Sequence, residues 1–401
     1  MSTKAEMIKE LYPEDLFNYA ELLSDGEVEV LAAARKVIEA EIKPVINEYW
    51  EKADFPFEAF YKLAEVGIMN SPKLYVGREG ERKPSEIYTA FLYLELARAD
   101  ASIATFYTVH GGLGYNTILL GGNERQIEEF APKIASFEWQ TCFGLTEPDS
   151  GSDIAGGLST TAERKGDTWV LNGAKRWIGG SDTADIIPIF ARDVEDNKVK
   201  CFIVRKGAPG YHAEPIPHKA SLRAIRNGHI TLENVEVPEA DRLENINGFK
   251  DVARILVYTR TDVAHIAMGI TNGAFVAALN YTKEREQFGR PIAKFQLVQE
   301  KLSRMQANAV ATLGYSVRVA QLQEEGRELM TNSSLAKMHN SLRMRETVAL
   351  AREVVGGNGI TLETDVARFF ADAEAIYTYE GTHEVNALIV GRDITGLGAF
   401  V

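Results

Sequence analysis

Ala375-Ile376-Tyr377-Thr378-Tyr379-Glu380-Gly381-Thr382-His383 sets one carboxylate, Glu380, among Ile376, Tyr377 and Tyr379, with a glycine directly after it. Apolar and aromatic neighbours that shut out water disfavour the ionised carboxylate and raise its pKa. A carboxylate raised in this way is a better proton acceptor near neutral pH. Gly381 has no side chain and leaves room for a ligand or another backbone to approach. The same residues also suit a plain turn at a helix start, so their meaning depends on the rest of the chain.

Outward from that stretch, 401 residues are too many for one simple core and predict two or three packed domains. A hydrophobic share of 45% with 25% charged residues places the chain among ordinary globular proteins. A net charge of −13 with no basic run argues against nucleic acid and against an anionic membrane surface as partners. Cys142 and Cys201 are too few and too far apart for a disulfide framework or a metal site, which predicts a reducing cytoplasm. The first 25 residues lack an apolar signal core, and no uninterrupted apolar run is expected to span a bilayer. The ending Gly398-Ala399-Phe400-Val401 is not a peroxisomal address of the Ser-Lys-Leu type.

Periodicity divides the chain into three parts. Leu31, Ala34, Ile38 and Ile42 step along a helix that Pro44 interrupts; Ser85 and Asn123 can cap two more, the second running to about Ile134. From Phe137 to about Val237 the pattern turns β, with strands expected at 168–171, 174–178, 186–191, 198–204 and 229–232. Asn172-Gly173 reads as the turn of a hairpin between the first two. Strands at this spacing suggest a small barrel or sandwich. After Gly248, Val263, Ile266, Ile270 and Ala274 mark a long helix, and Val298, Leu302, Met305 and Ala309 a second; Ser333 or Ser334 can cap a third. Short loops between them predict an antiparallel bundle. The fold class is therefore α+β: helical 1–136, β 137–245 and helical 246–401, with cofactor pockets expected at the seams.

Four further stretches carry chemistry. Residues 141–153, including Leu145-Thr146-Glu147-Pro148 and Gly151-Ser152-Asp153, hold turn-formers and hydroxyls whose backbone N–H groups can cradle an anion; a long surface loop has the same composition. Lys175-Arg176-Trp177-Ile178-Gly179-Gly180 sets an indole before two glycines, suited to a planar cofactor or to a β core. Arg285, in the charged run 283–291, can clamp a diphosphate or belong to a solvated face. Gly356-Gly357-Asn358-Gly359 can admit a diphosphate or cap a helix, and is not a Rossmann fingerprint.

Taken in this order on an α–β–α chain, the stretches resemble the acyl-CoA dehydrogenase family over nearly the whole length. Residues 376–382 and 391–396 look most like the glutaryl-CoA dehydrogenase branch and the plant short-chain acyl-CoA oxidases. The resemblance implies an N-terminal helical domain, a middle β-barrel domain and a C-terminal four-helix bundle, with FAD between the last two. It assigns Phe143, Leu145, Thr146, Gly151 and Ser152 to the flavin-side loop, and Trp177, Ile178 and Gly179 to the isoalloxazine. Gly179 stands where Thr or Ser is usual. Arg285, Phe288, Gln296, Glu353, Gly356 and Gly357 match residues that reach the FAD of a neighbouring subunit in a homotetramer, a dimer of dimers. Thr382 and Glu384 match contacts on the diphosphate and adenosine side, although a carboxylate at Glu384, where Gln is common, repels phosphate. Phe400 matches a late flavin-proximal aromatic.

Arg260 matches a CoA-binding arginine, Ser152 a contact to the pantetheine arm, and Tyr379 and Gly381 the substrate side of the base. Glu380 is implied as the base that removes the α proton while the β hydride goes to flavin N5, giving a trans-2-enoyl-CoA. Glutaryl-CoA dehydrogenases hold the distal carboxylate with an Arg where this chain has Ala104, which implies an uncharged, short- to medium-chain acyl tail. Electron-transfer flavoprotein is the implied acceptor. An oxidase using O2, which Gly179 keeps open, a glutaryl-CoA dehydrogenase and a non-catalytic binding module are the competing readings. The implied setting is the bacterial cytoplasm, or the mitochondrial matrix after removal of a presequence.

Overall fold

A computed structural model describes residues 3–399, so Phe400 lies outside the described residues. The N-terminal part holds α1 (Lys4–Leu11), α2 (Asp25–Val37), α3 (Ile46–Lys52), α4 (Phe57–Glu65), α5 (Glu86–Ala99), α6 (Ala101–Tyr107), α7 (Tyr115–Gly121) and α8 (Glu124–Ala135). Ser85 and Asn123 cap α5 and α8 as expected, because each side chain accepts an otherwise unpaired backbone N–H of the first turn. A π-helical turn, Thr108–Gly114, joins α6 to α7 in one rod. Small residues let that rod approach its neighbours: a Cβ on Gly114 would stand 2.3 Å from Thr141 Cγ2.

A four-residue helix, α9 (Ile154–Gly157), leads into β1 (Thr161–Lys165), β2 (Thr168–Gly179), β3 (Ile186–Asp193), β4 (Val199–Arg205), β5 (Tyr211–Pro215) and β6 (Asn227–Pro238). They form one sheet in the order β4-β3-β1-β2-β6-β5, wrapped about Trp169, Leu171, Ile189, Phe202 and Ile230. The hairpin turn expected at Asn172-Gly173 is not there. Lys165 pairs with Thr168, so the turn falls at Gly166-Asp167, and β2 runs straight through Asn172-Gly173 with a bulge against β6. An Asn-Gly hairpin turn needs positive φ at both residues; only Gly173 has it, at 146°. The glycine is there for space, since a Cβ would meet Thr160 Oγ1 at 2.7 Å. Asn172 instead accepts the Asn234 N–H across the bulge at 2.8 Å.

The C-terminal part holds α10 (Phe249–Glu284), α11 (Gln296–Glu324), α12 (Met330–Val355), α13 (Asp365–Thr378) and α14 (His383–Thr395). Ser333 and Ser334 are not the cap of α12; the helix starts earlier, with Leu329 donating its N–H to Asn332 Oδ1 at 3.0 Å, and both serines are buried inside it. Contrary to expectation, α10 is long and apolar enough to cross a bilayer, but 83% of its apolar window is buried within the protein, as in a central core helix.

The three parts meet at a fully buried ion pair. Arg368 on α13 donates to Asp100 Oδ2 at 2.7 Å, to Ala99 O at 3.0 Å and to Asp365 Oδ1 at 3.0 Å. The other Asp100 oxygen caps α6, accepting from Ser102 N at 2.7 Å and Ile103 N at 3.1 Å. One turn along α13, Asp372 accepts from Trp50 Nε1 of the first part at 3.0 Å and Leu222 N of the second at 2.7 Å. Removing one member of such a pair strands a buried charge. Asp100→Ala is expected to lower the unfolding free energy by about 3–5 kcal/mol, read by chemical denaturation; an unchanged midpoint contradicts that role.

Candidate active site

α13 stops at Thr378 and α14 starts at His383, and between them the backbone makes a tight reversal. Glu380 takes φ 55° and Gly381 φ 83°, while Thr382 caps α14 by accepting the Val385 N–H at 3.2 Å. A left-handed glutamate costs on the order of 1 kcal/mol and persists only where its surroundings enforce it. Here they do. Lys337 Nζ donates to Tyr377 O at 2.7 Å and Gly381 O at 2.9 Å. Asn386 Nδ2 donates to Gly381 O and Thr382 O, both at 2.9 Å, and Arg260 Nε to Glu380 O at 3.3 Å. A Cβ on Gly381 would press on Asn386 Nδ2 at 3.1 Å and Arg260 Nη2 at 3.3 Å. The Glu380 N–H itself has no hydrogen-bond partner among the described residues.

The electrostatics follow from enclosure. Burial raises the Glu380 pKa above the ordinary carboxylate range, against the opposing pull of Arg260, the Thr259 hydroxyl and Lys337. Burial likewise pushes Lys337 down to about 7. Uncharged Lys337 still has protons for both carbonyls, so the turn does not need its charge.

Two helices wall the space above the base. The Thr259 hydroxyl on α10 lies near enough to Glu380 to pull its pKa down, and Thr105 on α6 meets Tyr379 Oη at 3.0 Å. Further along the α6 rod, Val109 reaches β2: a Cβ on Gly179 would stand 3.1 Å from Val109 Cγ2 and 3.3 Å from Ile225 Cδ1. A side chain at position 179 would require those two neighbours to give by a few tenths of an ångström.

The loop before β1 is anchored from below. Glu147 accepts from Ser159 N at 2.7 Å, Ser159 Oγ at 2.6 Å, Thr160 N at 2.9 Å and Lys175 Nζ at 2.8 Å. Against burial, which raises it, Lys175 holds Glu147 down to about 2. Lys175 also donates to Leu145 O at 3.1 Å, and Arg176 N to Thr146 O at 2.9 Å, which ties the loop to β2. Phe143, Leu145 and Ile178 are buried, with Phe143 against Phe190 at 4.9 Å, so they support the surface from beneath. Trp177 stands out from it: its φ is 67°, its indole is 52% exposed, and the Arg176 guanidinium lies 5.1 Å from the ring. Gly151 has open space where a Cβ would point, and Ser152 beside it is exposed. An exposed indole beside open backbone and hydroxyls suits a planar cofactor with an anionic tail. Thr146, Gly151, Ser152 and Trp177 are the residues present that would hold FAD.

The second group lies elsewhere. Arg285 ends α10, Gln296 starts α11, and Glu353, Gly356 and Gly357 end α12. Lys301 to Glu353 at 3.2 Å and Asn358 Nδ2 to Tyr281 Oη at 3.0 Å tie these ends together. Phe288 is 92% exposed there, and both Gly356 and Gly357 face open space. Arg260 and Arg285 are 25 residues apart on α10, about 37 Å of helix. One chain does not bring them into one pocket. Arg260 is buried beneath the turn, with its Nε donating to Glu380 O. Glu384 is exposed in the first turn of α14. Sequence reasoning missed Lys337, Thr105 and Thr259 as site residues; the available signal was a lysine within the apolar run Leu335 to Met338.

Comparison with known proteins agrees with this geometry. Family descriptions for acyl-CoA dehydrogenase match the N-terminal domain over residues 24–138, the middle domain over 142–235 and the C-terminal domain over 247–395. An acyl-CoA dehydrogenase of Bacillus subtilis is 33% identical over 380 residues, covering 93% of this chain and 99% of the relative. The crystal structure of glutaryl-CoA dehydrogenase from Mycobacterium smegmatis superposes with a TM-score of 0.89 at 34% identity, over 97% of this chain and 99% of that one. A glutaryl-CoA dehydrogenase from the same organism in complex with FADH2 gives 0.90 at 30% identity, with the same coverage. Matched in all three of its parts, the chain belongs to the acyl-CoA dehydrogenase family, FAD-dependent oxidoreductases acting on CH–CH groups.

Proposed function

We propose that the protein dehydrogenates the Cα–Cβ bond of a short- to medium-chain acyl-CoA to the trans-2-enoyl-CoA, with Glu380 as the α-proton base. One observation carries this: a carboxylate of raised pKa sits in a left-handed turn whose own N–H is unpaired. That N–H can donate to a thioester carbonyl and so stabilise the negative charge that develops as the α proton leaves. Glu380, raised toward neutrality, is matched to removing that proton. FAD, when bound, supplies the acceptor for the β hydride. Thr105, Tyr379 and Thr259 fix the walls that orient the acyl chain against the base.

Ala104 is fully buried and offers no cation to a distal carboxylate, whose unpaired burial is costly. The proposed tail therefore ends without a carboxylate and in its simplest form is uncharged. The 25 residues of α10 that separate Arg285 from Arg260 support an assembly in which each FAD site draws on two chains, proposed as a homotetramer. Electron-transfer flavoprotein is the proposed acceptor. The crowding of Gly179 by Val109 and Ile225 leaves no hydroxyl there and favours testing a second reading, an oxidase. Hydrogen peroxide formed from acyl-CoA without an added acceptor identifies it.

Glu380→Gln is expected to lower kcat by about 10²–10⁴-fold with flavin still bound. Because the base must be ionised and burial has raised its pKa above 4.5, kcat/KM is expected to fall as pH drops through that raised value. An acid limb at or below 4.5 contradicts the assignment. Lys337→Met leaves Tyr377 O and Gly381 O without their donor, a loss of about 1–3 kcal/mol; kcat/KM for hexanoyl-CoA is expected to fall about tenfold or more. Glutaryl-CoA outrunning butyryl-, hexanoyl- and octanoyl-CoA overturns the tail assignment.

A further inference from the structure

Residues 216–226 join β5 to β6. Two of them, His218 at φ 61° and Leu222 at φ 48°, are left-handed without being glycine. Such residues persist only where their surroundings enforce them. For Leu222 the enforcing group is a lysine. Lys219 Nζ donates to Leu222 O at 2.6 Å, to Ile225 O and to Asn227 Oδ1 at 2.8 Å, so the three protons of one ammonium meet three oxygens. Burial draws Lys219 down to about 8, with Asp372 opposing. On one side this loop grips the helix that delivers the base. Leu222 N donates to Asp372 Oδ1 on α13 at 2.7 Å. Arg223 holds the loop to α3 as well, its Nε donating to Trp50 O at 3.0 Å and its Nη1 to Lys219 O at 3.0 Å.

On the other side the loop reaches the surface that carries Trp177. Arg176 pairs with His229 and Ile178 with Gly228, so Trp177, at φ 67°, is the extra residue of a bulge in β2. The Asn227 amide faces its carbonyl, with Nδ2 donating to Trp177 O at 3.4 Å. An ammonium can only donate, so Lys219 fixes which end of that amide is the oxygen and turns the nitrogen toward Trp177. Asn227 also stands opposite Gly179 in the sheet, and Gly180 N donates to Arg226 O at 2.8 Å. Ile225, whose carbonyl Lys219 holds, packs its Cδ1 3.3 Å from where a Cβ on Gly179 would stand. One side chain therefore ties both the bulged indole and its neighbouring glycine to α13.

We propose that Lys219 is a positioning residue for the flavin: acting through Asn227 and Ile225, it fixes Trp177 and Gly179 relative to the helix that carries Glu380. The inference rests on Trp177 and Gly179 forming the flavin's resting surface and deepens the function proposed above. Lys219→Met keeps the length of the side chain and removes its protons. In the flavin-loaded enzyme it is expected to shift the visible absorption and circular dichroism of the flavin, read without acyl-CoA. It is also expected to slow flavin reduction by saturating hexanoyl-CoA about tenfold or more, since small misplacements of reacting groups are costly. KM is expected to move by less than about threefold, because the thioester's own contacts are untouched. Asn227→Leu removes the relay and leaves Lys219 its two carbonyls; it is expected to shift the same bands, and the double variant to change them by less than the sum. A purely structural lysine lowers the melting temperature and leaves the flavin as it is. The parent's bands or the parent's reduction rate in Lys219→Met, or full additivity with Asn227→Leu, overturns the proposal. If Lys219→Met fails to fold, Asn227→Leu decides alone, and unchanged bands overturn it. An enzyme inert toward hexanoyl-CoA whose bands still shift sinks the dehydrogenation and not the tie.

Discussion

The placement of Thr105 relative to Glu380 depends on the contact between Arg368 and Asp100. Asp100 caps the helix that carries Thr105, and Arg368 rides on the helix that delivers Tyr379 and Glu380. One carboxylate thus sets the wall relative to the base. Such a pair gives little net stability, because two charges lose their water before they gain each other. Its product is register. A greasy replacement of equal volume could hold the three parts together, but it would not dictate which rotation of α13 faces α6.

The same enclosure works in opposite directions on acids and bases. It lifts Glu380 toward the working range of a proton acceptor and brings Lys337 down to where losing its proton costs little. The turn is therefore held mainly by hydrogen-bond geometry rather than by charge. Below the flavin-side loop, Lys175 and Glu147 show the other solution: each buried charge is answered by the other and by backbone donors. That loop can present its outer face to a ligand because its inner face is fully satisfied.

Much of this was legible in the residues. The three-part division, the caps at Ser85 and Asn123, and the isolated carboxylate at 380 each follow from local chemistry. The Asn-Gly hairpin failed because space, not turn chemistry, demanded Gly173: Thr160 lies against it, a neighbour that strand pairing supplies and periodicity cannot. Arg260 was legible only through the family resemblance, and nothing local points to the carbonyl it meets 120 residues away. The start of α12 was misplaced because Ser333 and Ser334 are equally good caps in isolation, and only packing put them inside the helix. Lys337 was legible only as a lysine among apolar residues, without its role. A lysine in an apolar stripe gives no hint of the two carbonyls waiting for it.

Asp100 and Arg368 are separated by 268 residues. During synthesis the N-terminal helices emerge first, and at about 5–20 residues per second the partner of Asp100 follows roughly 15–50 s later. Through that interval an acid destined for the interior stays solvated, and the ledge meant for α13 lies open to water. The nascent chain can settle its early helices and its sheet, but its chemistry is assembled only after the helix that carries Arg368 has left the ribosome.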